Sequence, residues 1–531
     1  MENNVTNPIQ NPYDEVPYIS FPFAQTDPEK LRSAAYLFGL DCLPPAKAKI
    51  LELGCASGNN ILSIAARYPD AKCFGVDLSK NQIDDGKKRV KELGIKNLRL
   101  EQKSILDITS KFGKFDYIIC HGVFSWVPKN VQDKILEICQ NNLTPNGIAY
   151  VSYNTLPGWS AVTAMREMML YHTASFKSPA EKAEQARLLL KFILESSKAL
   201  NKNFYSDVIE NELAVLSSQS DWYLLHDHLE ENNTQYYFHQ FMAMAEANNL
   251  QYLAEIELAH MFVGNLPEEA AKVLGGSNDI VRSEQYIDFI INRRFRSTML
   301  CLKDRILNRN LQTALIEEKY FTSRFRTEEN IAQYRYAHGK TINFATPNNM
   351  TFSTSDAEII AALVILSNQR QSPMKMDDLC TQVIEELSAK ALPVKDKPEL
   401  KTHLATHFLR NIFTGGIALH LGNGLHQNIV SEKPKAFPLA IYQAGIQDWV
   451  TNLLHENIWV TPFDKALLPL LTGRNNLEAL TKKILPLFAN DSLSMNIDDK
   501  KISDIKLIEK NLPESLSTIL NRYAEIGLLV S

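Results

Sequence analysis

Glu52-Leu-Gly54-Cys-Ala56-Ser-Gly58 follows the apolar pair Ile50-Leu51, and an apolar strand that opens into a glycine-rich turn presents bare backbone N–H groups to a ligand. Phe74-Gly-Val-Asp77 closes a second apolar run, where a carboxylate can accept hydrogen bonds from both hydroxyls of a ribose. The two features together mark a nucleoside site. Nothing in the turn demands a pyrophosphate, because a dinucleotide fingerprint has glycine at the positions held here by Ala56 and Asn59. Three more groups stand at the ends of strand-like runs, the edge where open α/β sheets bind ligands: Ser104-Ile105-Leu-Asp107, His121-Gly-Val-Phe-Ser-Trp126 and Tyr153-Asn154. Asp107 would serve equally well as a helix N-cap.

To position these residues the chain needs a doubly wound sheet, and to about residue 160 it alternates strand and helix patterns as such a sheet requires. Ahead of the first strand, Tyr13, Tyr18, Phe21 and Phe23 are interleaved with Pro17, Pro22 and Pro28. A free tail would not carry so many aromatics, so the segment is expected to cover the strand ends as a lid or to fill a surface groove as a strap. After Gly158 the pattern turns helical, as in 161–172 and 179–200, and no further strand is expected before about Leu302. His226, His228 and His239 lie in this section without a third ligand at a spacing that completes a metal site, so no metal is expected. Arg293, Arg294 and Arg296 are expected on a solvated or salt-bridged face, or at an interdomain contact.

From about 343 a strand-like piece, helical segments at 355–366, 375–387 and 398–414, and a returning strand at 416–421 outline a winged-helix module. Its last helix holds only Lys401 and Arg410 as fixed cations, which favours a protein contact over DNA. The remaining helical texture, 467–474 and 477–488, is compatible with a second such module. The expected division is 1–160, 161–302, 303–430 and 431–531, in keeping with a length of 531 residues.

The net charge of −5 comes without a basic tail or cluster, which argues against nucleic acid and anionic lipid as partners. The seven cysteines form no Cys-x-x-Cys pair and are expected as reduced core thiols in a cytoplasmic protein. No apolar run is long enough to span a bilayer, and the N-terminus has no secretion-signal pattern, so membrane insertion is not expected.

The ordered set of strand-end motifs is similar to that of class I S-adenosylmethionine-dependent methyltransferases. Tyr13-Asp-Glu-Val-Pro-Tyr18, Leu51-Glu-Leu-Gly-Cys-Ala-Ser-Gly58, His121-Gly-Val-Phe-Ser-Trp-Val-Pro128, Ser152-Tyr-Asn-Thr-Leu-Pro-Gly-Trp159 and Asn292-Arg-Arg-Phe-Arg-Ser-Thr298 narrow the likeness. Within the class, the chain resembles bacterial protein lysine methyltransferases that carry a methyltransferase regulatory domain, in particular the rickettsial enzymes that modify outer membrane protein B. The resemblance implies an α/β fold: a Rossmann-like domain with a seven-stranded sheet, then mainly helical and winged-helix-like domains.

By the same resemblance Glu52, Gly54, Ala56, Gly58 and Asn59 line the methionine part of the cofactor, and Asp77 with Leu78 the ribose side. Ser104, Ile105 and Asp107 line the adenine, and His121 lies next to the cofactor. It also implies a homodimer that methylates lysines of an outer membrane protein B-like surface protein before export. Relatives often show histidine where this chain has Asp27 before Pro28.

Methyl transfer to lysine requires a neutral amine aligned about 3 to 3.5 Å from the methyl carbon, and an aromatic, partly dry channel beside a hydrogen-bonding group favours loss of the proton. Tyr13, Tyr18, His121, Trp126, Tyr153 and Asn154 are the candidates, with Trp159 beside them; Trp126 and Trp159 could equally serve packing alone. The domains after residue 160 are expected to orient the protein substrate rather than the cofactor. A small-molecule or RNA methyltransferase, and a noncatalytic cofactor-binding regulator, would use the same first domain.

Overall fold

The computed structural model describes residues 20–200, 204–219, 221–230, 232–327, 340–346, 350–369, 372–426, 428–490, 492–497, 500–502 and 504–530. Its organising element is a seven-stranded sheet in the order β3-β2-β1-β4-β5-β7-β6. The strands are β1 Lys49–Leu53, β2 Lys72–Asp77, β3 Leu98–Gln102, β4 Phe115–Cys120, β5 Leu143–Asn154, β6 Leu250–Glu255 and β7 Phe295–Leu302. All neighbours from β3 to β5 pair in parallel, whereas β7 runs antiparallel to both β5 and β6. This is the expected Rossmann-like α/β architecture.

Side-chain alternation along the strands separates two apolar layers. Ile148 and Tyr150 of β5 face the layer that holds α1 Pro28–Leu37 and α2 Asn59–Arg67, while α3 Lys80–Glu92 contributes Ile83 to it. Ala149, Val151 and Tyr153 face the opposite layer with α4 Lys129–Asn142. All seven thiols are buried and unpaired.

The helical section is an insertion into this sheet rather than a separate strand-free domain. Helices α5 Ser160–Thr173, α6 Pro179–Leu200 and α7 Phe204–Ser218 pack around Met169, Leu190 and Ile209. The chain then returns through α8 Phe238–Ala247 to β6, and through α9 Glu268–Gly275 and α10 Ile280–Ile291 to β7. The expectation that strands cease before Leu302 is therefore corrected: two strands of the catalytic sheet come from this segment.

The pattern was hidden because the inward side chains of these strands carry charge. Arg296 of β7 is 0 % exposed and bonds Glu255 of β6 at 2.8 Å, Glu284 at 2.9 Å and Asp288 at 2.8 Å, with its guanidinium 3.8 Å above the Phe238 ring. Arg293 is also buried and pairs with Asp288, and Arg294 pairs with Glu212 of α7 at 2.9 Å. Of the expected readings the salt-bridged one applies, in the interior for Arg293 and Arg296.

The middle region pairs β8 Tyr320–Ser323 with β11 Met374–Lys375 and β12 Ile417–His420, under α11 Ala357–Asn368, α12 Met376–Ser388 and α13 Lys397–Ile412. The strand-like piece near 343 is β9 Ile342–Ala345, which forms its own hairpin with β10 Thr351–Thr354. The C-terminal region holds α14 Pro438–Ala444, β13 Trp449–Thr451, β14 Asn457–Trp459, α15 Pro462–Leu467, α16 Leu477–Ala489, the antiparallel pair β15 Met495–Ile497 and β16 Lys500–Ile502, and α17 Ile505–Glu525. Both regions share one continuous apolar core with α1 and α2.

Removing one partner from a buried charge cluster leaves the rest uncompensated, at a cost of about 3 to 5 kcal/mol. Arg296→Met should therefore lower the thermal midpoint of the catalytic sheet by several degrees and expose the amides of β6 and β7 in hydrogen exchange. Unchanged exchange at those strands would show that the cluster does not hold them.

Candidate active site

The turn after β1 is shaped by steric necessity. Gly54 has φ +69, and a Cβ there would fall 2.5 Å from Val123 Cγ2; Ala56 (φ +49) and Gly58 (φ +78) complete the left-handed path into α2. Asp77 fastens this loop. Its Oδ2 accepts from Ala56 N at 2.8 Å and its Oδ1 from Ser79 N at 2.9 Å, so the carboxylate is held in a fixed orientation.

Glu52, buried at the end of β1, accepts from Asn60 Nδ2 at 2.8 Å and Ile61 N at 3.1 Å, and burial pushes its pKa up to about 8. Beside this edge Leu78 is 60 % exposed, and Ser104 caps the short turn Ile105–Asp107 through Leu106 N at 3.2 Å. Asp107 ends that turn and is exposed, so the cap belongs to Ser104.

These groups stand at the carboxyl ends of the parallel strands, where open α/β sheets form their ligand cleft. Gly122 has φ +66 and no heavy atom within 4 Å of the place a Cβ would occupy. An apolar side chain at Leu78, an oriented carboxylate at Asp77 and open space at Gly122 fit a nucleoside with a charged tail. Asn59 does not face this space: its Nδ2 donates to Ser20 O at 2.8 Å and its Oδ1 accepts from Arg89 at 2.9 Å, so its side chain is spent on the N-terminal segment and α3.

Next to Gly122, His121 directly follows the end of β4 at Cys120. Tyr150 donates to Ser297 Oγ at 2.9 Å, so its oxygen accepts from His121 Nδ1–H at 3.0 Å and the Nε2 lone pair of His121 is left bare. The Phe23 ring lies 4.2 Å away and Phe295 6.1 Å away edge-on. Burial alone lowers the His121 pKa to about 4, so the ring is neutral at physiological pH.

Tyr153 is not brought to this place. Residue parity on β5 turns it into the opposite layer, 1 % exposed, stacked 4.0 Å from Phe241 with its hydroxyl against Thr298. Its expected part in the channel is replaced by Tyr150, which shares parity with Asn154 and was legible on that ground. Asn154 stays on the reactive face, held by Ser125 Oγ at its backbone and by Asn233 at its amide. Trp126 is half-buried and meets the buried Trp159 edge to face at 6.1 Å.

The N-terminal segment acts as strap and cover together. Ser20 accepts from Asn59 N at 3.1 Å, Phe23 N donates to Asn60 Oδ1 at 2.9 Å, and Phe21 sits 4.9 Å from Trp449 and 6.4 Å from Trp222. Asp27 caps α1 and pairs with Arg67 at 2.9 Å, a contact that holds its pKa near 2 against the opposing effect of burial. Tyr13 and Tyr18 lie outside the described residues.

Comparison with known proteins agrees with this geometry. Residues 45–233 match a methyltransferase domain, 220–302 a predicted methyltransferase regulatory domain and 432–528 the PKMT C-terminal winged helix domain. An uncharacterised protein of Rickettsia prowazekii is 41 % identical over 532 residues, covering 98 % of this chain and 94 % of the relative. A second one from the same organism is 49 % identical over 248 residues, or 47 % of this chain. The structure of PKMT2 from Rickettsia typhi in complex with AdoHcy superposes with a TM-score of 0.88 at 35 % identity, covering 97 % of this chain and all of that one (100 %). S-adenosylmethionine is thus the cofactor, and the chain belongs to the PKMT family of class I methyltransferases, which carry a regulatory segment and end in a winged helix domain.

Proposed function

We propose that this methyltransferase is a protein lysine N-methyltransferase, a cytoplasmic homodimer acting on a large surface protein of the outer membrane protein B type. The observation that carries the reading is the neutral His121 in its aromatic enclosure, beside the cofactor cleft. Surroundings that hold an imidazole uncharged disfavour an ammonium equally. A lysine of pKa about 10.4 needs roughly 4 to 5 kcal/mol to be neutral near pH 7, a shift within reach of desolvation.

S-adenosylmethionine supplies the methyl group and its leaving group. The chain's own residues supply the rest: His121 Nε2 accepts a hydrogen bond from the amine and turns its lone pair toward the cleft, Trp126 guides the entering cation, and Asn154 marks the far wall. Gly54, Ala56 and Gly58 would hold the methionine end above Glu52, Asp77 the ribose, and Leu78, Ser104, Ile105 and Asp107 the adenine. Exposed Phe192, Leu200 and Phe204 on the helical insertion support a homodimer formed there. Among the described residues no helix is long and apolar enough to cross a membrane. The poverty of basic clusters in the chain supports a protein acceptor over RNA.

The full-length protein, incubated with S-adenosylmethionine and a lysine-rich fragment of such a surface protein, should yield methyllysine by intact mass and hydrolysate analysis. His121→Ala should lower turnover about 100-fold while cofactor affinity holds. Methylation confined to carboxylates, RNA or small molecules would overturn the lysine assignment.

Asp77→Ala should weaken cofactor binding by about 1.5 to 3 kcal/mol for each charge-assisted ribose bond lost. Calorimetry on the folded variant measures this, and an unchanged dissociation constant would remove Asp77 from the site.

A cationic cofactor end above Glu52 favours the ionised carboxyl, whereas the free site keeps it protonated up to pH about 8. The bound state therefore holds fewer protons, and affinity should fall as pH drops from 8 to 6, by at most about tenfold per unit. Glu52→Gln should flatten that slope, and an identical slope in the variant would assign the dependence to another group.

A further inference from the structure

The winged helix domain reaches the cofactor site from below. Its β13–β14 hairpin turns at Asn452, whose Oδ1 accepts from Leu454 N at 3.0 Å and Glu456 N at 2.8 Å and whose Nδ2 donates to Ile526 O at 2.8 Å. The turn delivers His455, 0 % exposed and at φ +61, a left-handed backbone that a histidine keeps only when its surroundings impose it.

The ring enters beneath the first turns of α2: Nε2 lies 2.9 Å from Asn60 Oδ1 and 3.2 Å from Thr26 Oγ1, and Nδ1 lies 2.7 Å from Ser63 Oγ. Asn60 commits its Nδ2 to Glu52, so its Oδ1 faces His455 as an acceptor and Nε2 carries the hydrogen. Nδ1 then accepts from Ser63. The charged groups acting on the ring are Arg67, Asp27 and Lys30, and burial with Arg67 keeps it neutral.

Asn60 thereby joins four things: the hairpin, Glu52 under the cofactor loop, Phe23 of the strap over His121, and Thr26. The domains after residue 160, expected to orient the protein substrate rather than the cofactor, thus also meet the helix that carries Asn60.

We propose that His455 is a positioning residue of the cofactor site, through which docking of the winged helix domain sets the affinity for S-adenosylmethionine. The proposal rests on the cofactor site and is independent of which acceptor is methylated.

Titration of the full chain with S-adenosylhomocysteine tests it. His455→Ala should raise the dissociation constant about tenfold, with a matching rise in KM for S-adenosylmethionine and no change in kcat at saturation. His455→Gln, which puts an N–H donor near the place of Nε2, should restore most of the affinity.

Tyr442→Phe is the control, since it loses a different contact of this domain with the first, the hydroxyl bond to Glu92 on α3, without touching Asn60. Its affinity should match the wild type. An unchanged constant in folded His455→Ala, or equal weakening by Tyr442→Phe, would overturn the proposal. Should His455→Ala fail to fold, Ser63→Ala, which frees the tautomer while keeping a good helix residue, should weaken binding about threefold, and no change there would overturn it as well.

Discussion

The structure around the cofactor depends on one buried carboxyl group, that of Glu52. It lies beneath the first turn of α2, where among the described residues Asn60 and the Ile61 amide, with the positive end of the helix, compensate it. An amide side chain offers donors on one side and an acceptor on the other. Once Asn60 gives its donor to the acid, its oxygen must point outward, where Phe23 N, Thr26 Oγ1 and His455 Nε2 converge on it. The demand of one acid thus decides where the strap and the C-terminal hairpin attach.

Local signals were legible in the sequence and distant compensation was not. Gly54, Ala56, Gly58 and Asp77 announce themselves because a left-handed turn and the carboxylate that fastens it lie within one β-α-β unit. β7 hides because Arg296 faces inward, and the acid on β6 that makes its burial tolerable is Glu255, 41 positions away. Tyr153 was misplaced although period-two alternation separates it from Asn154, a rule available without any structure. His455 gives no signal at all: its partners Asn60 and Ser63 stand 395 and 392 positions earlier, and nothing near Leu454-His455 indicates a ligand or a helix to meet.

The buried charges explain why the insertion between β5 and β6 can be so large. β7 closes the sheet between β5 and β6 only if its polar inward residues are satisfied, and α10, through Glu284 and Asp288, brings that satisfaction with it. Helix and strand behave as a unit. The preceding helices α5–α7 then have their own small core around Met169 and Leu190, and Glu212 of α7 pairs with Arg294 just ahead of β7.

Charge is also divided across the cleft. Acids stand on one side, Asp77 at the loop and Glu52 beneath it, where a cationic ligand would otherwise lose its hydration without return. On the other side His121 titrates low through burial, and its one hydrogen-bond partner among the described residues is the neutral hydroxyl of Tyr150, which in turn donates to Ser297. A carboxylate beside His121 would hold an entering amine as an ammonium and leave it without a lone pair. The same low-dielectric enclosure therefore serves both halves of the site, and the placement of acids decides which half keeps its positive charge.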